Sequence, residues 1–173
     1  LIDMKNKAIL YTNSLPNMAS NTDLRLRLKC ITKWLIGEFK KIEEMQLNYV
    51  IGYEVTVMLG KGGESLNRAI GAMLVALPSQ RKYYEISNMQ MKVVAGGHGK
   101  ADKKEIGIYL KDVVFKDNKE ARELLFNLIA SSRFDIIDSI GIGVTTHEKS
   151  NTKPGTKPAV KRSKVLKKSS NKV

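Results

Sequence analysis

Apolar residues recur at helical spacing in five stretches of the chain. The longest pattern spans residues 24–42, with Asn21, Thr22 or Asp23 placed to cap its first turn. A second runs from Glu64 to a stop at Pro78, and a third follows a glycine-rich turn and ends at Val114. Two more are predicted over residues 118–130 and 134–147.

Short runs of strand-forming residues lie between these helical patterns. They cover residues 8–14, 48–54 and 82–86, and a polar turn at Asn88 follows the last one. Strands early in the chain, a strand and helix alternation in the middle and helices at the end predict an α/β fold. We therefore expect a mixed sheet flanked by helices, with acidic side chains gathered at one end of the sheet.

Composition predicts one folded domain followed by a basic tail. The 173 residues are 42% hydrophobic, enough for one sizeable core. The net charge is +13, yet residues 149–173 carry nine Lys and Arg and no acid. We predict a domain over residues 1–148 and a disordered, Lys-rich tail over residues 149–173. Such a tail adds salt-sensitive affinity for phosphates, unless it serves only to keep the protein in solution.

The charge and the apolar runs also limit location and partners. A strongly basic chain is expected to bind a polyanion. We expect no membrane association and a cytoplasmic location, because no apolar run reaches the length of a membrane span and no signal peptide pattern is present. Cys30 lies among leucines in the first helical pattern, which favours a buried thiol over a nucleophile.

Three carboxylates outline a metal site. Asp135 and Asp138 begin an apolar, glycine-containing helix, and their spacing places both on one face with Cβ atoms about 5–6 Å apart. The two charges repel each other, neighbouring isoleucines increase the cost of their desolvation, and a divalent cation would offset both effects. Glu54 ends a predicted strand and supplies a third oxygen ligand of the kind that Mg²⁺ prefers. The alternative is that the aspartates only stabilise the start of the helix.

Four segments of the chain resemble RuvC-type Holliday junction resolvases in order and spacing. The resemblance covers about residues 1–147. The segments are Tyr49-Val50-Ile51-Gly52-Tyr53-Glu54, the helical residues 65–72, the stretch of residues 91–103 that ends in Ala101-Asp102-Lys103, and Asp135-x-x-Asp138-Ser-x-Gly-x-Gly.

The resemblance implies an RNase H-like fold, a homodimer and cleavage of four-way DNA junctions. It implies Mg²⁺ as cofactor, with Mn²⁺ able to substitute, and it makes Glu54, Asp135 and Asp138 catalytic, metal-binding residues. Lys103 is the predicted catalytic cation, and Lys92 falls near the scissile phosphate. The full set of predicted DNA-binding residues is Lys61, Arg68, Lys92 and Lys100.

The start of the chain departs from this family. The family places a fourth carboxylate at the end of its first strand, and two further strands precede its first long helix. Here one predicted strand separates Asp3 from that helix, so we expect the first strand and its acid to be missing, with Asp3 as the alternative fourth acid. Two other functions therefore stay open: a DNA-binding relative without cleavage activity, and another RNase H-like nuclease acting on RNA–DNA hybrids or flaps.

Overall fold

The structure is a computed structural model that describes residues 1–10, 12, 23–55 and 63–152, without the side chains of residues 63–66. The predicted DNA contact Lys61 and most of the predicted tail, residues 153–173, lie outside this part. Residues 11, 13 and 14 of the predicted strand over residues 8–14 also lie outside it.

The described chain is mixed α/β and mostly helical. No helix in this part of the chain has the length and apolar character needed to cross a membrane. A π-helical segment, Leu110–Val114, continues directly from the fourth α-helix. In chain order the elements are β1 (Ile2–Asp3), β2 (Ala8–Ile9), α1 (Leu24–Glu44), β3 (Ile51–Val55), α2 (Gly63–Ala76), β4 (Tyr83–Ser87), α3 (Asn88–Ala95), α4 (Lys103–Tyr109), α5 (Lys119–Ala130) and α6 (Phe134–Asn151).

The described strands form two separate pairs. β1 and β2 are antiparallel, with Ile2 opposite Ile9. β3 and β4 are parallel, with Glu54 opposite Ile86. A parallel pair needs a crossover connection, and α2 lies in the connection between these two strands. The mixture of an antiparallel and a parallel pair confirms the α/β class, while the RNase H-like arrangement stays a prediction.

Helix α6 is the centre of the core. It contacts α3, α4 and α5 as well as β1, β3 and β4. Its Ile137 side chain is fully buried, and Gly141 faces Met91 of α3, whose sulfur atom would lie only 3.0 Å from a Cβ at that position. Helix α1 packs instead against α2. The largest fully buried side chains are Phe115, Ile86, Met91, Ile106, Leu110, Leu125 and Ile137.

Several helix boundaries follow from the capping residues that the sequence supplies. The Asp23 carboxylate accepts hydrogen bonds from the backbone N–H groups of Arg25 and Leu26 at 2.8 and 3.2 Å. Helix α1 is therefore capped by Asp23, one of the three candidate residues. Asn118 caps α5 by accepting from the Ala121 N–H at 2.9 Å. These contacts satisfy donors that the first helical turn otherwise leaves unpaired.

Two boundaries differ from the prediction. Asn88 begins α3 rather than forming a turn, because Ser87 and Gln90 build a capping box in which each side chain accepts from the backbone N–H of the other. Helix α6 continues through Asn151, so Lys149 belongs to the folded part and not to a tail. The Lys149 ammonium donates to the Glu85 carbonyl at 2.8 Å, which ties the end of α6 to β4.

A cleft of about 670 Å³ separates the two strand pairs. Its walls come from β1, α1, β3 and α6, and they include Phe39, Ile51, Ile140 and His147. Asp3 lies at this cleft, but its carboxylate accepts from the Lys5 and Asn6 backbone N–H groups and from the Asn6 side chain. Those three bonds, all from the β1–β2 turn, lower the pKa of Asp3, with the Asn6 backbone bond as the largest cause.

Candidate active site

Gly52 sets how closely helix α6 approaches β3. A Cβ atom at this position would run into the Thr146 side chain of α6. Side chains alternate along a strand, so Glu54 projects from the same face of β3 as Gly52, the face covered by α6. A glycine two residues before the acid therefore brings the strand end with Glu54 close to the helix that carries Asp135 and Asp138.

Glu54 is half-buried and accepts a hydrogen bond from the Asn88 side-chain amide at 3.2 Å. Asn88 is the first residue after β4, the parallel neighbour of β3. Asn88 was not among the predicted site residues. Its position was a usable signal, because polar residues that follow two adjacent parallel strands meet at one edge of the sheet.

Asp138 and Lys103 form the closest charge contact at the site. The Lys103 Nζ atom lies 3.0 Å from Asp138 Oδ2, and the two side chains are 61% and 19% exposed. Lys103 is the first residue of α4, whose start is fixed by a reciprocal pair of hydrogen bonds of 2.8 Å between Asp102 and Glu105. Since α4 packs against α6, this capping box directs Lys103 towards the acid.

All three predicted catalytic carboxylates act on Lys103. Its pKa is raised first by the hydrogen bond with Asp138 and by the Asp138 charge, and further by the charges of Glu54 and Asp135. The ammonium therefore lies within the combined field of the three acids. The contact between Lys103 and Asp138 joins two residues that lie 35 positions apart in the sequence.

The second oxygen of Asp138 has no hydrogen-bond partner. Oδ1 is buried, and no donor in the described part of the chain reaches it. A buried carboxylate oxygen without a partner carries a desolvation cost that a bound cation or a donor would remove. Asp138 is also the fifth residue of α6, beyond the first turn, so a stabilising effect on the helix start does not explain it.

Asp135 is placed differently from Asp138. Its side chain is 68% exposed and lies 3.7 Å from the Arg133 guanidinium. Asp135 sits in the first turn of α6, where an acid also stabilises the helix N-terminus, so both explanations offered by the sequence fit this residue. Arg133 was not assigned to the site, and nothing in the pattern of the sequence marked it.

The three carboxylates are not gathered into one ligand set. Within the described ranges, no three His, Cys, Asp or Glu side chains lie close enough together to hold a metal ion. The unpartnered Oδ1 of Asp138 is the observation that fits a cation at this position. The metal-binding assignment of Glu54, Asp135 and Asp138 stays a prediction.

The other predicted DNA-binding residues in the described part of the chain lie on different elements. Lys92 is half-buried on α3, a helix that packs against α6. Lys100 is exposed in the loop before α4, and Arg68 is exposed on α2. His98 lies in that same loop, with Nε2 3.9 Å from Glu105. Cys30 is half-buried on α1.

Comparison with known proteins does not assign the chain to a family. No family model matches it, and no curated protein is similar enough to count as a relative. The resemblance to RuvC-type resolvases therefore rests on the sequence segments themselves, and function has to be argued from the site.

Proposed function

We propose that this chain is a structure-selective endodeoxyribonuclease that resolves four-way DNA junctions by metal-dependent hydrolysis of phosphodiester bonds. The observation that carries the proposal is the Lys103–Asp138 contact of 3.0 Å, with Glu54 and Asp135 close enough to raise the pKa of the same ammonium. Carboxylates that hold a metal ion and a lysine beside them are groups that can catalyse phosphodiester cleavage.

Each residue has a separate role in this proposal. Glu54 and Asp138 hold the cation, and the unpartnered Oδ1 of Asp138 is the oxygen that we assign to it. Asp135, the most exposed of the three acids, orients the attacking water. Lys103 stabilises the negative charge that develops on the phosphate. Bound Mg²⁺ or Mn²⁺ would supply Lewis-acid stabilisation of the attacking and leaving oxygens.

DNA binding rests on basic groups outside this set. Lys92 on α3, Lys100 in the loop before α4 and Arg68 on α2 are assigned to the phosphate backbone together with Lys61. Phosphate contacts of this kind position a nuclease without reading sequence. A homodimer would present two such sites to the two symmetric strands of a junction.

An RNase H-like fold is part of the proposal. The antiparallel β1–β2 pair, the parallel β3–β4 pair and helix α6 against both are compatible with it. Asp3 is the candidate for a fourth carboxylate within the described chain, and its carboxylate already accepts three hydrogen bonds from its own turn.

The test is one gel experiment with the full chain. A labelled four-way junction and a linear duplex of matched sequence are incubated with Mg²⁺ or Mn²⁺, and the band shift and nicking are scored together. A nicked duplex, an RNA–DNA hybrid and a flap are run beside them. We expect preferential binding of the junction and nicks at paired, symmetric positions.

The other outcomes distinguish the alternatives. Binding of the junction without nicking would support a DNA-binding relative that lacks cleavage. Stronger cleavage of the hybrid or the flap would assign the chain to another class of RNase H-like nuclease. Equal binding and equal nicking of the junction and the linear duplex would contradict the resolvase proposal.

A further inference from the structure

Lys103 neutralises the charge that a metal ion would otherwise neutralise. Its ammonium contacts Asp138 Oδ2 at 3.0 Å and leaves Oδ1 of the same carboxylate buried, without a hydrogen-bond partner among the described residues. A divalent cation that reached Asp138 would enter the space around this ammonium. Two positive charges in such proximity repel each other, so the ammonium and the cation compete for the carboxylate.

The Lys103 side chain is able to move away from Asp138. Lys103 is 61% exposed, and a lysine ammonium is a compact charge on a flexible stem that can swing into solvent. Because the lysine end of the pair is exposed, water and salt screen part of its attraction to Asp138. The pair between Arg81 and Glu43 is different, because a planar guanidinium holds both carboxylate oxygens at 3.0 and 2.7 Å.

We propose that Lys103 is a displaceable counter-ion: a divalent cation bound by Asp138 and Glu54 releases its ammonium from Asp138, and the released ammonium then binds a DNA phosphate. This inference rests on the proposed function and adds an order of events to it. Without metal the ammonium is held by the acids, and with metal it faces the DNA.

The proposal makes metal and DNA binding cooperative through one side chain. Metal binding removes the Asp138 partner of Lys103, and DNA offers a replacement in the phosphate. By linkage, DNA must then strengthen metal binding by the same factor as metal strengthens DNA binding. Both halves of this coupling are measurable without any cleavage.

The first experiment titrates Mn²⁺ into the full chain without DNA, by calorimetry. We compare the natural protein with Lys103→Gln, Lys103→Arg and Lys104→Gln. Lys104 is the adjacent exposed lysine on α4, so its variant removes the same charge one residue away. Circular dichroism verifies that each variant is folded.

We expect Lys103→Gln to bind Mn²⁺ about 5- to 150-fold more tightly than the natural protein, the range typical of coupled sites. Lys103→Arg, which keeps a cation beside Asp138, and Lys104→Gln should both stay close to the natural value. If Lys103→Gln and Lys104→Gln raise the affinity for Mn²⁺ equally, the effect comes from the net charge of the protein, and the proposal is overturned. Unchanged or weaker binding in Lys103→Gln would also overturn it.

The second experiment measures junction binding at several salt concentrations, with and without Ca²⁺, which takes the same oxygen ligands. Each phosphate contact adds about 0.9 to the slope of log K against log salt on duplex DNA. Addition of Ca²⁺ should therefore increase the slope of the natural protein by about one contact more than that of Lys103→Gln. Equal increases would contradict the release of Lys103 to a phosphate.

The two proposals fail in different ways. If the natural protein shows no saturable Mn²⁺ binding, the metal-dependent function and the counter-ion role both fall. If it binds Mn²⁺ and Lys103→Gln does not bind more tightly, the nuclease proposal stands and Lys103 is not a displaceable counter-ion.

Discussion

The guanidinium of Arg81 holds Glu43 at two points, with Nε 3.0 Å from Oε1 and Nη2 2.7 Å from Oε2. The Tyr49 hydroxyl donates to the same carboxylate, and the Arg81 carbon Cζ lies 4.4 Å from the centre of the Tyr49 ring. Because Glu43 is on α1 and Arg81 precedes β4, the cluster joins the end of the long helix to the parallel strands. Bidentate pairing gives such a contact a fixed geometry.

This cluster predicts a contribution to stability that disappears in acid. Arg81 and Tyr49 lower the pKa of Glu43 from 4.5 to about 2, with the Arg81 hydrogen bond as the main cause. The folded protein therefore holds the carboxylate charged where the unfolded chain takes up a proton. The stabilising effect is complete above pH 4.5 and is lost as the pH falls through about 2.

Glu43→Gln should lower the free energy of unfolding at pH 7, and its difference from the natural protein should shrink between pH 4.5 and 2. Urea unfolding at a series of pH values measures this difference. Glu44→Gln, at the neighbouring exposed position, is the control and should track the natural protein. A difference that stays constant from pH 7 to pH 2 would contradict the role of the charged pair.

Two glycines should respond to alanine in opposite directions. Gly52→Ala places a Cβ against Thr146 and should destabilise the fold by about 1–3 kcal/mol, the usual cost of overpacking. Gly71→Ala lies in an exposed turn of α2 with nothing within 4 Å of the new Cβ, and it should stabilise by about 0.4–1 kcal/mol. Thermal or urea unfolding measures both.

A second substitution tests whether the contact with Thr146 is the cause. Thr146→Ala removes the atoms that a Cβ at Gly52 would meet, so Gly52→Ala combined with Thr146→Ala should be less destabilised than the sum of the two single variants. Strict additivity would show that the cost of Gly52→Ala arises elsewhere.

The helices of this fold were predictable because their signals are local. Asp23 and Asn118 lie where helix caps are expected. The apolar spacing that follows each cap predicts the same helix. The strands were less predictable, because pairing partners are distant in sequence and short edge strands carry little pattern. The predicted turn at Asn88 was wrong because its neighbour Ser87 forms a capping box, and the box decides the local structure.

The candidate site was also predictable from the sequence only in part. Glu54, Asp138 and Lys103 were assigned from their positions and from the resemblance, and the packing of α4 on α6 explains the contact between Lys103 and Asp138. The contact of Asn88 with Glu54 and the partnerless Oδ1 of Asp138 depend on side-chain geometry, which no spacing rule contains. The ion pair itself, a lysine directed at an acid from another helix, required the folded chain.

Removal of the predicted tail should weaken DNA binding in a salt-dependent way. Residues 153–173 contain eight Lys and Arg, and a chain ending at Thr152 keeps every described element. We expect its affinity for DNA to fall most at low salt, with a smaller slope of log K against log salt. Fluorescence anisotropy with junction and duplex measures both. Because the tail contacts phosphates without reading shape, the ratio of the two affinities should not change, and a lost junction preference would contradict this role.

Asp138→Asn should abolish cleavage while leaving junction binding intact. The amide keeps the size of the side chain but loses the charge that holds a cation. Binding should persist because it depends on basic groups.

Asp117→Asn, an exposed acid in the loop before α5, is the matched control and should cleave at the natural rate. Single-turnover nicking of a labelled junction measures the rate, and band shifts measure binding. Nicking by Asp138→Asn at the natural rate would show that the chemistry takes place elsewhere, whereas parallel loss of binding and cleavage would assign Asp138 to structure rather than to catalysis.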